Sequence, residues 1–149
     1  MHIRIERPDQ PDTLALIGAL DAYLEPLYPP QSQHGPDLQA LLQPGVAFAV
    51  ARDAAGTACG CGAALLREGY AELKRMYVPP EHRGQGLGRA LLRFLEAHAQ
   101  AAGCRVARLE TGIHQPEALR LYAAAGYAPC APFAAYQPDP LSVFMEKRW

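Results

Sequence analysis

Residues 79–96 read PPEHRGQGLGRALLRFLE, and this stretch limits the possible folds more than any other. Gly84, Gly86 and Gly88 alternate with other residues, between Arg83 and Arg89. Glycines this dense belong where backbone must turn without a side chain or come close to a ligand. Immediately before them, 70–78 (YAELKRMYV) reads as a strand stopped by Pro79 and Pro80. Immediately after, Leu87, Ala90, Leu91, Phe94, Leu95 and His98 fall on one helical stripe, and Gly103 supplies the stop. A strand, a glycine loop and a long helix in that order call for a sheet covered by helices.

The remaining pattern fits one domain over residues 1–149. Alternation at 2–6 predicts a strand, and 10–27 predicts a helix starting near Asp12 or Thr13. Prolines and glycine at 28–36 break that helix, and 37–43 predicts a short second one. Residues 46–52 and 57–67 read as a hairpin around DAAG, 105–111 as a strand, and 115–126 as a helix with Pro116 in its first turn. Residues 127–130 and 141–148 close the chain as strands. The order is β-α-α-β-β-β-α-β-α-β-β. It predicts an α/β (α+β) fold with a mixed, mostly antiparallel central sheet flanked by helices.

Net charge is −1, without the basic excess of a nucleic-acid binder. No apolar run approaches the ~20 residues that span a bilayer, and the first ten residues have no signal-peptide apolar segment. A cytoplasmic protein is expected, with neither a nucleic-acid nor a membrane partner. Cys59, Cys61, Cys104 and Cys130 have neither redox nor zinc spacing and read as small buried thiols in a reducing compartment. No carboxylate–histidine cluster has metal-ligand spacing, and no metal is expected.

The loop fails two phosphate-binding fingerprints. The G-x-G-x-x-G dinucleotide pattern lacks its third glycine, and no G-K-[ST] of a Walker A loop follows Gly88. A nucleotide-binding module is disfavoured accordingly. The helix N-terminus itself remains, with its unpaired N–H groups and positive dipole end. Between residues 74 and 93, Lys74, Arg75, Arg83, Arg89 and Arg93 face only Glu81. An anionic ligand fits that surplus.

RGQGLGRALL resembles the R/Q-x-x-G-x-G/A signature of the GCN5-related N-acetyltransferases (GNAT), through Arg83, Gly86 and Gly88. EALRLYAAAGY at 117–127 is similar to the family's A-x-x-L-Y-x-x-x-G-[FY] segment, and the resemblance runs from about residue 2 to 147. The overall wording resembles small stand-alone bacterial members. What the resemblance implies is acetyl transfer from acetyl-CoA to a primary amine of a small molecule or peptide. It implies diphosphate binding by Arg83, Gly84, Gln85, Gly86, Leu87, Gly88 and Arg89, with pantetheine along the strand at Met76, Tyr77 and Val78. Gln115 stands where many relatives carry a cofactor-touching Asn. Tyr122 aligns with the family's tyrosine, the candidate acid for the departing sulfur. On residue type alone, a core tyrosine with a satisfied hydroxyl is the default.

Glu72 stands fourteen positions before Gly86, the spacing of the catalytic glutamate in the histone-acetylating branch. Two roles are open to it: a general base, or an ion pair with Lys74 on the same strand face. An ordinary carboxyl, near pKa ~4.3, is poorly matched to an ammonium near ~10, so a base role needs a water chain or burial. His82 and His114 read as solvated. In this fold the acceptor pocket is bordered by 27–35 and 132–139, which makes Tyr28, Ser32, His34 and Tyr136 candidates. A homodimer is an assembly open to such a chain. The competing reading is a non-catalytic acyl-CoA-binding module; thiol release from acetyl-CoA with an amine separates the two.

Overall fold

A computed structural model describes residues 1–33 and 35–149. Seven strands form one sheet: β1 (His2–Ile5), β2 (Val46–Arg52), β3 (Ala58–Leu66), β4 (Ala71–Tyr77), β5 (Val106–Gly112), β6 (Ala128–Pro129) and β7 (Ser142–Arg148). Their spatial order is β1-β2-β3-β4-β5-β7-β6. Every pairing is antiparallel except β4 with β5. The helices are α1 (Pro11–Leu24), α2 (Leu38–Leu41), α3 (Leu87–Ala101) and α4 (Pro116–Ala124). The mixed, mostly antiparallel sheet and the element order match the sequence expectation. Two bounds differ. The first helix stops at Leu24, just ahead of Pro26, and the strand expected over 127–130 pairs only at Ala128 and Pro129.

The two sheet faces carry separate cores. Leu73, Ala107, Leu109 and Met145 meet Leu87, Leu91, Leu92 and Leu95 of α3 on one face. Phe48, Val50, Cys61 and Leu65 meet Leu16 of α1 and Leu41 of α2 on the other. Strands β2 and β3 lie between these layers, and their Ala, Gly and Cys content lets α3 come close. A Cβ on Gly60 would stand 3.0 Å from Leu91 Cδ1.

Helix α1 begins at Gln10, whose N–H donates to Thr13 Oγ1 (3.2 Å), while the Thr13 hydroxyl donates to Pro8 O (2.8 Å). Thr13 is fully buried by this work. One acid on α3 breaks the simple stripe. Glu96 is buried because Tyr127 Oη donates to it (2.7 Å) and Lys147 Nζ lies 3.2 Å away. No helix of the described residues is long and apolar enough to cross a membrane. The four cysteines form no disulfide; Cys59, Cys61 and Cys104 are buried and Cys130 is half-buried.

Candidate active site

The site begins with a defect in the sheet. Strands β4 and β5 pair over Ala71–Leu73 and 107–109 only, although both strands run further. Beyond Leu73 they diverge. On the other edge of β4 the register to β3 slips between Cys61↔Tyr77 and Ala63↔Lys74, which marks a bulge. Its strained residue is Arg75, at φ 58° without being glycine. The guanidinium secures that turn: Nη1 donates to Asp21 Oδ1 (2.6 Å) and Nη2 to Pro36 O (2.9 Å). Its buried Nε has no partner among the described residues.

Two hollows open from the divergence. The larger, about 550 Å³, is lined by Met76, Tyr77, Val78, Arg83, Gly84, Gly86, Leu87, Gly88 and Arg89 on one side and by α4 on the other. Gly84 (φ 80°) and Gly86 (φ 79°) are left-handed, and Gly86 caps α3. The first helical bond runs from Ala90 N to Gly86 O (3.0 Å), so the N–H groups of Leu87, Gly88 and Arg89 precede the helical ladder. Gly88 has a different task, since a Cβ there would press on Leu121 Cδ2 of α4 at 3.2 Å. Arg83 Nε donates to Val78 O (2.8 Å), tying the loop to the end of the strand. Gln85 is exposed and lines neither hollow.

The smaller hollow, about 260 Å³, lies between α1, the segment after it, β4, β5 and Leu141. Leu20, Met76, Gln115 and Tyr122 line both hollows and mark their junction. Tyr28 is buried here. Its hydroxyl donates to Gln115 Oε1 (3.0 Å) and accepts from His114 N (3.1 Å). Gly112 must lack a side chain, because a Cβ would collide with that hydroxyl. Ser32 lines the hollow and donates to Asp139 Oδ2 (2.7 Å). His34 lies outside the described residues.

Tyr122 is 6% exposed, and its hydroxyl has no hydrogen-bond partner among the described residues. Burial pushes its pKa up. Tyr122 is at once a member of the core and part of the wall where the two hollows meet.

Glu72 is 4% exposed and lines neither hollow. Tyr136 Oη donates to its Oε2 (2.5 Å), Lys74 Nζ lies 3.3 Å from the same oxygen, and Lys74 also donates to Tyr136. Burial, and next the Glu72 hydrogen bond, raise the Tyr136 pKa. The Tyr136 ring packs edge-on to Phe133 and Phe144, with centroids 5.2 and 5.5 Å apart. The carboxylate that lines the small hollow on β5 is Glu110, with Ser142 Oγ donating to its Oε2 (2.9 Å). The sequence singled out neither Glu110 nor any role for Arg75 beyond its place in the basic surplus. Among the described residues no group of three or more His, Cys, Asp or Glu side chains could hold a metal ion.

A diverging sheet with a glycine-capped helix beside it is the architecture of an acyl-CoA-dependent acyltransferase, and comparison with known proteins agrees. The sequence pattern of the acetyltransferase (GNAT) family matches residues 16–127, and the chain belongs to that family. It is 48% identical over 144 residues to a protein of Azospirillum brasilense named IAA acetyltransferase, covering 95% of this chain and 94% of that one. It is 32% identical to the uncharacterized N-acetyltransferase YsnE of Bacillus subtilis (strain 168), covering 99% of each. A crystallised Klebsiella pneumoniae protein, whose acyl-CoA N-acyltransferase activity is itself an assignment, superposes with a TM-score of 0.84 at 46% identity. That match covers 99% of this chain and 96% of the other.

Proposed function

We propose that residues 1–149 act as one N-acetyltransferase domain, moving an acetyl group from acetyl-CoA to a primary amine of a small molecule or peptide. The observation that carries this reading is the meeting of the two hollows at Tyr122. The larger hollow suits the cofactor. Leu87, Gly88 and Arg89 offer N–H groups to a diphosphate, with Arg83 and Arg89 adding charge. Pantetheine would follow the divergent edge of β4, using main-chain groups at Met76 to Val78, and Gln115 would border its far end. A main-chain N–H aimed at the thioester oxygen contributes roughly 3 kcal/mol to such a reaction. Two structures of lower identity, an aminoglycoside 6'-N-acetyltransferase and a paia N-acetyltransferase of Thermoplasma acidophilum, are complexes with coenzyme A. They share the fold, and by analogy the cofactor suits this chain.

Tyr122 serves the departing sulfur as a hydrogen-bond donor. For Glu72, the ion pair with Lys74 is the role its burial and neighbours support; a base role would have to run through the Tyr136 hydroxyl. The test is thiol release from acetyl-CoA against a panel of amines, amino acids and lysine peptides, with the acceptor in the Azospirillum protein's name included. Acceptor-dependent release supports the reading. Tight acetyl-CoA binding with no release for any acceptor would return the chain to a binding module.

A further inference from the structure

Tyr28 ends the turn that follows α1: its N–H donates to Leu24 O (3.3 Å), and Gln33 Nε2 donates to its carbonyl (3.0 Å). The side chain is buried in the wall of the smaller hollow. Its hydroxyl reaches the turn before α4, where it accepts from His114 N and donates to Gln115 Oε1. A phenol carries one proton. His114 N–H takes up acceptor capacity of the hydroxyl, and the proton goes to the amide oxygen. Burial raises the Tyr28 pKa, which keeps that proton in place. The ring is fixed as well. The His114 ring lies 5.5 Å away, and Gly112 leaves the space that the hydroxyl fills.

Gln115 is the N-cap of α4, yet its side chain makes no capping bond. Its backbone is held on both sides: its N–H donates to Gly112 O and its carbonyl accepts from Leu119 N, 3.1 Å each. Only the side chain has freedom, and Tyr28 takes its oxygen end. The amide NH2 has no partner among the described residues. It belongs to a side chain that lines both hollows.

We propose that Tyr28 is a positioning residue: it holds the oxygen of the Gln115 amide, so that the NH2 is the end left for the junction of the hollows, where it donates to a carbonyl oxygen of bound acetyl-CoA. This rests on the acetyltransferase reading. An amide free to rotate presents its oxygen as readily as its nitrogen, and an oxygen facing a ligand carbonyl repels it. Tyr28 leaves only the donor end on offer and orders the side chain before the ligand arrives. Glutamine, one methylene longer than asparagine, has the reach to serve Tyr28 and the junction together. The arm of acetyl-CoA carries carbonyl oxygens of two kinds, in its pantetheine amides and in its thioester, and either accepts from an NH2. A residue in the wall of the smaller hollow thereby sets a contact in the larger one, through a single hydrogen bond.

The experiment is calorimetric titration of wild type, Tyr28→Phe, Gln115→Met and the double variant, each with acetyl-CoA and with coenzyme A. Gln115→Met keeps the length of the side chain and removes the amide. Each single variant should bind acetyl-CoA about 3- to 10-fold more weakly, the worth of one neutral hydrogen bond. The double variant should bind no more weakly than Gln115→Met, because Tyr28 acts only through the amide. A purely structural Tyr28 gives the opposite, a loss that adds to that of Gln115→Met. Equal losses with both ligands place the oxygen on a pantetheine amide, and a loss with acetyl-CoA alone places it on the thioester; either result supports the proposal. Wild-type affinity in Tyr28→Phe or in Gln115→Met overturns it, and so does an additive double variant. The side-chain NH2 signals of Gln115 in a nitrogen-edited NMR spectrum, assigned by their absence from Gln115→Met, should move when wild type is saturated with acetyl-CoA. Signals that stay in place overturn the proposal whether or not Tyr28→Phe folds. Wild type that binds neither ligand overturns the acetyltransferase reading, and this proposal with it.

Discussion

Tyr122 is 6% exposed as a residue and packs in the core on one side, while on the other it borders the junction of the two hollows. It lines both hollows, where a ligand can meet its hydroxyl. Burial raises its pKa, so it stays protonated and able to donate across the ordinary working range. Tyr122→Phe removes only that hydroxyl, and the packing against Tyr127, 5.9 Å between ring centroids, should survive. The interaction with sulfur strengthens only as negative charge builds there, so turnover should fall while acetyl-CoA affinity barely moves. The expected loss is about 10- to 10³-fold, modest because a thiol is already a fair leaving group. Because no internal hydrogen bond is lost, the melting temperature should hold or rise. Single-turnover rate and melting temperature on one sample test this, and a fully active but destabilised variant would retire the catalytic role. The family motif identified Tyr122, but whether its hydroxyl was satisfied could not be read from it. That depends on what a fold brings near the ring, and no local pattern encodes it. Glu110 escaped for a related reason: its place in the wall of the smaller hollow comes from β4 leaving its side, a fact about another strand.

At the scale of elements, Arg52 at the end of β2 joins three segments. It sits 2.9 Å from Glu6 after β1 and 2.6 Å from Asp12 at the start of α1, and it also donates to Gly56 O (2.8 Å). Hydrogen bonding to Arg52 is the main reason both carboxyls titrate below their ordinary 4.5 and 3.8. A depressed folded value means stability that is present above the unfolded pKa and lost as pH falls through the folded one. The latch should therefore hold at neutral pH and weaken progressively below about pH 4.5. Glu6→Gln should cost about 1–2 kcal/mol at pH 7, the range for a charge-assisted bond at a mostly buried site. The gap between variant and wild type should shrink as pH falls below the ordinary carboxyl range; urea melts at several pH values measure it, and a pH-independent gap would point to packing instead. Most elements were legible because period and punctuation agree: VAFAVAR alternates and is β2 residue for residue, and Gly103 stops α3 as its place after the apolar stripe implies. The bulge at Arg75 was not legible. AELKRMYV alternates as far as Lys74 and breaks at the adjacent Lys74–Arg75, but that break does not by itself specify a left-handed turn, which is held by contacts to Asp21 and Pro36, residues far away in the chain.

Across the whole molecule, the parallel pair β4–β5 is the weak seam: three paired positions, then an opening, with the glycine loop on one side and α4 on the other. A ligand seated there would connect α3, α4 and the end of β4, elements the sheet itself joins sparsely. Coenzyme A should consequently act as a clamp. At one hundred times its Kd it adds roughly 2.7 kcal/mol to stability. For a chain of this length that corresponds to a melting temperature about 5–10 °C higher. The anchor is the diphosphate at the α3 N-terminus, so adenosine alone should shift the midpoint far less at the same concentration. Gly86→Val separates anchor from scaffold. Gly86 has open space around it but a left-handed φ, so the variant should lose about 1–2 kcal/mol of its own stability from backbone strain. It should also lose most of the coenzyme A shift, because the branched side chain stands where the diphosphate would approach. A thermal shift series with wild type and variant, each with coenzyme A and with adenosine, reads both effects. Equal shifts for the two ligands, or a variant that melts lower yet gains as much from coenzyme A as wild type, would move the anchor away from the glycine loop.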